Sequence, residues 1–243
     1  MKRTLVIGDI HGGLKGLTQV LSKCELQKDD HLIFLGDYVD GWSESAQVIQ
    51  FLMELEKEYL CDFIYGNHDA WCLDWLEKDI SNTIWLKHGG ISTVNSYVKI
   101  TKEQKERHIL FFKRMKNYII DEDNRLFIHA GFSSMHGPEK EHYQTNYGWD
   151  RTLWETALAV HTKVTKDESS FPKRLKLFKE IYIGHTPTLE WGITIPWKRV
   201  NVWNIDTGAA FLGKVSIMDI NTKEFWQSDN LIELYPNENG RNK

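Results

Sequence analysis

The stretch His31-Leu32-Ile33-Phe34-Leu35, followed by Gly36-Asp37-Tyr38-Val39-Asp40-Gly41, decides the fold. The apolar run reads as a buried strand. It ends in two aspartates. Carboxylates just past a buried strand are destabilising unless something cationic pairs with them, and a metal ion is the obvious candidate. The device recurs on both sides: residues 4–8 form a short apolar run ending in Asp9-Ile10-His11-Gly12-Gly13, and residues 61–65 form one ending in Gly66-Asn67-His68-Asp69.

Helical patterns separate these runs. Leu14, Leu17, Val20 and Leu21 recur at helical spacing. Residues 43–59 predict a second helix, with Ser43 as N-cap and Val48, Leu52, Leu55 and Tyr59 as its inward stripe. A third carries Trp71, Trp75 and Leu76. The order β-α-β-α-β implies parallel strands with right-handed crossovers. Parallel sheets collect ligands at the carboxyl ends of their strands, where all three polar motifs sit.

Downstream, residues 85–90 read as a turn, and 101–116 as a helix capped by Thr101. Residues 118–121 and 125–128 predict two strands joined by a turn, the second running into His129-Ala130-Gly131. A polar loop covers 133–150, a helix 149–160 and a charged linker 163–172. Residues 181–184 predict a strand ending in His185-Thr186-Pro187, and 200–205, 214–220 and 224–227 predict antiparallel strands of a second sheet. Residues 1–235 read as a single domain and 236–243 as a polar, frayed tail.

The chain has 243 residues, enough for one large domain with a sizeable core. A formal charge of −4 gives no bulk basic field for nucleic acid or an anionic membrane. No stretch has the apolar length of a membrane span, and the apolar start is too short for a signal segment. Cys24, Cys61 and Cys72 form no CxxC, which points to reduced thiols and a cytoplasmic location. The ten tryptophans are assigned to core and groove packing, and His31, His108, His136, His142 and His161 to surface or loops. Nothing in the sequence sets an oligomeric state.

Imidazole and carboxylate donors without thiolates suit first-row divalent metals such as manganese, iron or zinc. Two ions roughly 3.5–4 Å apart, sharing a carboxylate, are the arrangement that activates water and neutralises a transferring phosphoryl group.

Gly8-Asp9-Ile10-His11-Gly12, Gly36-Asp37-Tyr38-Val39-Asp40, Gly66-Asn67-His68-Asp69, His129-Ala130-Gly131 and Gly184-His185-Thr186, in that order, resemble the calcineurin-like metallophosphoesterases. Within that superfamily they resemble the bacterial serine/threonine phosphoprotein phosphatase branch, as do Trp85…Gly89-Gly90 and Asp206-Thr207-Gly208. The resemblance implies an α/β (α+β) fold of two packed mixed β-sheets flanked by helices. It implies two divalent ions, manganese first. Asp9 and His11 would bind one, Asn67, His129 and His185 the other, and Asp37 both, with Asn67 also reaching the substrate phosphate. His68 would be the general acid, oriented by Asp40, while a hydroxide between the metals attacks phosphorus in line. The Asp40 carboxylate is expected to raise the His68 pKa. The substrate would be a phosphorylated protein or a small phosphoester, with no nucleic acid or membrane partner.

Two positions depart from that branch. Its members usually follow this aspartate with Arg-Gly, the arginine holding phosphate, whereas Gly41-Trp42 follows Asp40. Arg151 matches a second arginine of the branch and is the expected phosphate ligand, with a solvated salt bridge as its plain alternative. Asp69 stands where the branch more often has glutamate. Aspartate there is common across the wider superfamily, including diadenosine tetraphosphate hydrolases and phosphodiesterases. A phosphodiesterase, a dinucleoside polyphosphate hydrolase and a non-catalytic phosphate-recognition scaffold therefore stay open.

Overall fold

The computed structural model describes residues 2–242. Two five-stranded sheets pack face to face. The first has the order β10-β9-β1-β2-β3, from β1 (Thr4–Ile7), β2 (His31–Phe34), β3 (Leu60–Phe63), β9 (Ser216–Asp219) and β10 (Phe225–Gln227). The second has the order β4-β5-β6-β8-β7, from β4 (Tyr118–Ile120), β5 (Arg125–Ile128), β6 (Glu180–Ile183), β7 (Trp197–Arg199) and β8 (Val202–Asn204).

The period-2 alternation of strand side chains builds the layers. Leu5 and Ile7 of β1, with Leu32 and Phe34 of β2, face helices α1 (Leu14–Cys24) and α2 (Ser45–Leu55). Val6 and Ile33 face the other sheet, where they meet Phe127 and Tyr182, whose rings stack at 5.0 Å. Leu126, Ile128, Ile181 and Ile183 face a third apolar layer under the helix Thr152–Ala159. A helix α3 (Asn67–Lys78) follows β3. The parallel pairs β1–β2–β3 and β5–β6–β8 turn their carboxyl ends to one rim of the sandwich.

Five sequence expectations are corrected. Residues 202–204 do join the second sheet, but parallel to β6, while β9 joins the first sheet antiparallel to β1 and β10 completes it antiparallel to β9. All four residues of β9 are buried, which suits an interior strand rather than a second-sheet meander. Residues 85–90 are a widened helical turn, Leu86–Gly90, kinked at His88 and Gly89 and continuing into Ile91–Ser96. His108 is fully buried, its Nδ1 2.9 Å from the Tyr97 hydroxyl. Residues 236–242, expected to fray, lie along α2's entry loop: the Arg241 N–H donates to Ala210 O at 2.8 Å, and Glu238 accepts from Ser43 N–H and Oγ at 2.9 and 2.7 Å. That use of Ser43 also explains why α2 starts later than expected, with Glu44 at its N-cap. Lys243 lies outside the described residues.

Candidate active site

The strand-end loops are tied to one another before any ligand is considered. The His11 N–H donates to Asp37 O at 2.9 Å. The buried Asp69 carboxylate accepts from the N–H groups of Asp37, Tyr38 and Gly66 at 2.8–2.9 Å, joining the second and third motifs. His129 reaches from the second sheet to the first, its Nδ1 donating to Leu35 O at 2.8 Å. Four residues here, His11, Asp37, Asp40 and His185, adopt positive φ of 52–71°, conformations that persist only where surrounding bonds over-determine them. Gly184 allows the closest approach of the two sheets: a Cβ there would sit 2.2 Å from Asp9 Oδ1.

Two groups of donors result, both buried and both containing Asp37: His11, Asp37 and His68, and Asp37, His129 and His185. Asp9 flanks the first group, its Oδ2 3.6 Å from His11 Nε2. Asn67 Oδ1 joins the second, 3.2 Å from His129 Nε2 and 3.0 Å from His185 Nδ1. His11 and His129 each donate Nδ1–H to main-chain carbonyls, leaving Nε2 as the coordinating nitrogen.

The chemistry of this donor set fits divalent cations. His185 Nε2 is buried with no hydrogen-bond partner among the described residues. The carboxylates are short of positive charge. Burial pushes Asp9 up to about 7, and burial together with Asp37 pushes Asp69 up to about 8. Burial works against a charged His129 too, yet the Asp37 carboxylate overrides it and holds that imidazole up to about 10. Burial also works against a charged Asp37, and His129 and His68 outweigh it, holding this carboxyl well below its usual range. Without a metal the cluster thus keeps a proton on His129, and a divalent ion would replace it.

His68 sits apart in role, because its Nδ1 is engaged 2.6 Å from Asp40 Oδ2. Asp40 is itself held on both oxygens, by Trp85 Nε1–H at 2.7 Å and Thr93 Oγ1–H at 2.6 Å. The expected upward shift of His68 is not found. Burial lowers its pKa, and the opposing carboxylates of Asp37 and Asp40 do not compensate.

A pocket of about 180 Å³ opens over these groups. His11, Asn67, His68 and His185 form its floor side, and Trp71, Trp149, Arg151, Phe211 and Arg241 are among its other lining residues. Arg151 is half exposed, 3.8 Å from Glu190. It precedes the helix Thr152–Ala159, whose first N–H groups bond Asp150, and this extended Asp150 breaks the helix expected over 149–160.

The calcineurin-like phosphoesterase profile matches residues 2–192. The chain belongs to the calcineurin-like phosphoesterase family. It is 28% identical over 242 residues to bis(5'-nucleosyl)-tetraphosphatase PrpE [asymmetrical] of Oceanobacillus iheyensis, covering 90% of this chain and 89% of that one. It is 25% identical over 221 residues to serine/threonine-protein phosphatase 1 of Salmonella typhimurium, covering 88% and 90%. In fold it is similar to a cold-active protein-tyrosine phosphatase of a psychrophilic Shewanella (TM-score 0.59, 16% identity, 94% and 81% covered). A metallophosphoesterase of Sphaerobacter thermophilus is also similar (TM-score 0.57, 15% identity, 96% and 94% covered).

The candidate site brings together Asp9, His11, Asp37, Asp40, Asn67, His68, His129 and His185, and places Arg151 at the pocket wall. Three contributors have no role assigned from sequence. Asp69 ties the loops. Thr93 holds Asp40, and no spacing signal points to it. Arg241 enters from residues expected to fray. Trp85 belongs to a motif of the resemblance, but its bond to Asp40 has no sequence signal. Asp206, the first residue of the Asp206-Thr207-Gly208 motif, is buried in the pocket lining and accepts from Gly208 N–H at 2.9 Å.

Proposed function

We propose that this chain hydrolyses phosphomonoesters, with phosphoserine and phosphothreonine in proteins as its substrates, using two divalent ions, manganese first. The 2.6 Å Asp40–His68 pair carries this reading. Serine and threonine alkoxides are poor leaving groups and need a positioned proton donor, whereas a polyphosphate leaves readily without one.

Asp9, His11 and Asp37 would hold one ion, and Asp37, Asn67, His129 and His185 the other. When bound, such a pair supplies a water acidic enough to attack phosphorus and positive charge against the phosphoryl oxygens. The chain's own residues do the rest. Asp40, fixed by Trp85 and Thr93, takes up His68 Nδ1 and leaves Nε2 for the departing oxygen. Burial disfavours the imidazolium, and a phosphoryl dianion in the pocket favours it, so the protonated form is coupled to substrate binding. Arg151 supplies positive charge at the wall. The three unpaired cysteines suit the reducing cytoplasm.

A second reading, hydrolysis of a dinucleoside polyphosphate, is favoured by Trp71 and Trp149, whose rings meet edge to face at 5.0 Å on the pocket wall and could stack a base. The relatives named as tetraphosphatases favour it too. The deciding experiment compares an aryl phosphate monoester, its diester, a phosphopeptide and a dinucleoside tetraphosphate, each with manganese, iron and zinc. Preference for the phosphopeptide and monoester supports the first reading. Preference for the diester or the dinucleotide overturns it. Metal binding without turnover of any of the four makes the chain a phosphate-recognition scaffold.

A further inference from the structure

The loop after Asp40 does not carry the expected arginine, and its backbone explains why. Gly41 has φ of 119°, a conformation L side chains rarely adopt, and its N–H is 3.3 Å from Gly89 O in the kinked helical turn. The residues after Gly41 serve as anchors instead. Trp42 donates Nε1–H to Ala209 O at 2.7 Å and stacks on Tyr235 at 5.1 Å. Ser43 binds Glu238, and Glu44 accepts from the Tyr235 hydroxyl. Gly240 packs so tightly on Trp42 that a Cβ there would lie 2.7 Å from its ring.

These anchors deliver one cation. Arg241 Cγ lies 3.5 Å from where a Cβ at Gly41 would be, so its side chain starts in the space an arginine at position 41 would occupy. Its guanidinium carbon lies 5.2 Å from the Phe211 ring centroid, and Nη2 lies 3.5 Å from His88 Nδ1. Its Nε is buried without a hydrogen-bond partner among the described residues. The side chain lines the pocket with His11, Asn67 and His68. A guanidinium built into such a wall, with donors to spare, is an oxyanion site.

We propose that Arg241 binds the phosphoryl oxygens of the substrate, carried into the pocket by residues 236–242 as a strap clamped on Trp42 and Ser43. The arginine missing after Asp40 is thereby supplied from the far end of the sequence. A larger depression of about 760 Å³ shares Arg241, His88 and Phe211 with the pocket, so Arg241 stands between the attacked phosphoryl group and the direction in which the rest of a substrate can extend.

This proposal rests on the phosphoester reading above, and the test separates the two. In the manganese-loaded protein, inorganic phosphate affinity is measured by calorimetry for the wild type, Arg241→Ala and Arg241→Lys, alongside kcat and KM on an aryl phosphate. Metal content and melting temperature serve as controls. The expected result is phosphate binding weakened tenfold or more in Arg241→Ala, a KM raised in parallel with a smaller change in kcat, partial recovery in Arg241→Lys, and unchanged metal content. Phosphate affinity within twofold of wild type in Arg241→Ala overturns the proposal. If Arg241→Ala does not fold, Arg241→Gln, which keeps a polar side chain but not the charge, decides alone: weaker phosphate binding at unchanged metal content supports the role, and unchanged binding overturns it. A wild type that turns over no phosphoester but loses phosphate affinity on Arg241→Ala overturns the enzymatic reading while supporting Arg241 as the anion ligand.

Discussion

His68 and Asp40 meet at 2.6 Å although Asp40 lies in the loop after β2 and His68 in the first turn of α3, and the aspartate is fully enclosed. The pair depends on two further elements, because Trp85 and Thr93 saturate the carboxylate from the helical segment around the kink at Gly89. Removing the imidazole should therefore affect proton delivery rather than metal binding. In His68→Asn, turnover of a phosphopeptide is expected to fall by about 10²–10⁴, with metal content by elemental analysis unchanged. Unaltered turnover would remove His68 from the acid role.

The leaving group gives a sharper version of the same test. Thr93→Val takes two hydrogen bonds from Asp40, the one Thr93 Oγ1–H donates to its carboxylate and the one Oγ1 accepts from its N–H, without changing a residue that lines the pocket. The loss should be larger on an alkyl phosphate than on a nitrophenyl phosphate, whose departing oxygen needs little protonation. Equal losses on both would mean that Thr93 serves folding alone.

Asp37 belongs to both donor groups, so its loss should weaken both metal positions together. Wild-type protein is expected to bind two manganese ions per chain, and Asp37→Asn fewer than one at the same free metal concentration. Chelation should lower the melting temperature of the wild type, since metal binds the folded chain preferentially, and should change that of Asp37→Asn much less. Two retained ions in the variant would contradict a shared ligand.

Trp149 is nearly half exposed, beside Trp71. If bases stack there, Trp149→Ala should raise KM for a dinucleoside tetraphosphate by the equivalent of about 1–3 kcal/mol, with little effect on a small aryl phosphate. An equal effect on both substrates would show that Trp149 merely shapes the pocket.

His108 makes the fold acid-sensitive at a point away from the chemistry. Burial lowers its pKa to about 4. A base depressed in the folded state contributes stability that is complete above its unfolded pKa of about 6.5 and is lost as pH falls toward 4, up to about 3 kcal/mol. Urea unfolding between pH 7 and 4.5 should show a steeper loss for the wild type than for His108→Gln. Parallel curves would rule out His108 as the source.

The sequence by itself determined the strand-end motifs, the parallel β-α-β-α-β start and the polar residues those strand ends present, Asp9, His11, Asp37, Asp40, Asn67, His68, Asp69, His129 and His185. These are local properties. A short apolar run ending in Gly-Asp or Gly-Asn states both where a strand stops and which side chain it presents, and the same local logic placed the Thr101 cap, which bonds Gln104 N–H at 3.2 Å. Tertiary structure alone decided which sheet took β9 and β10, because an all-buried strand of four residues pairs equally well in principle with any apolar neighbour. It also decided that burial outweighs Asp40 at His68, since desolvation depends on what packs around a ring and not on its sequence neighbours. The gap at Gly41 shows the division most directly. The missing arginine was visible in the chain, but Arg241 is brought there by packing on Trp42, Ser43 and Phe211. Contacts between the start of the fold and residues 236–242 leave no periodic trace in either segment.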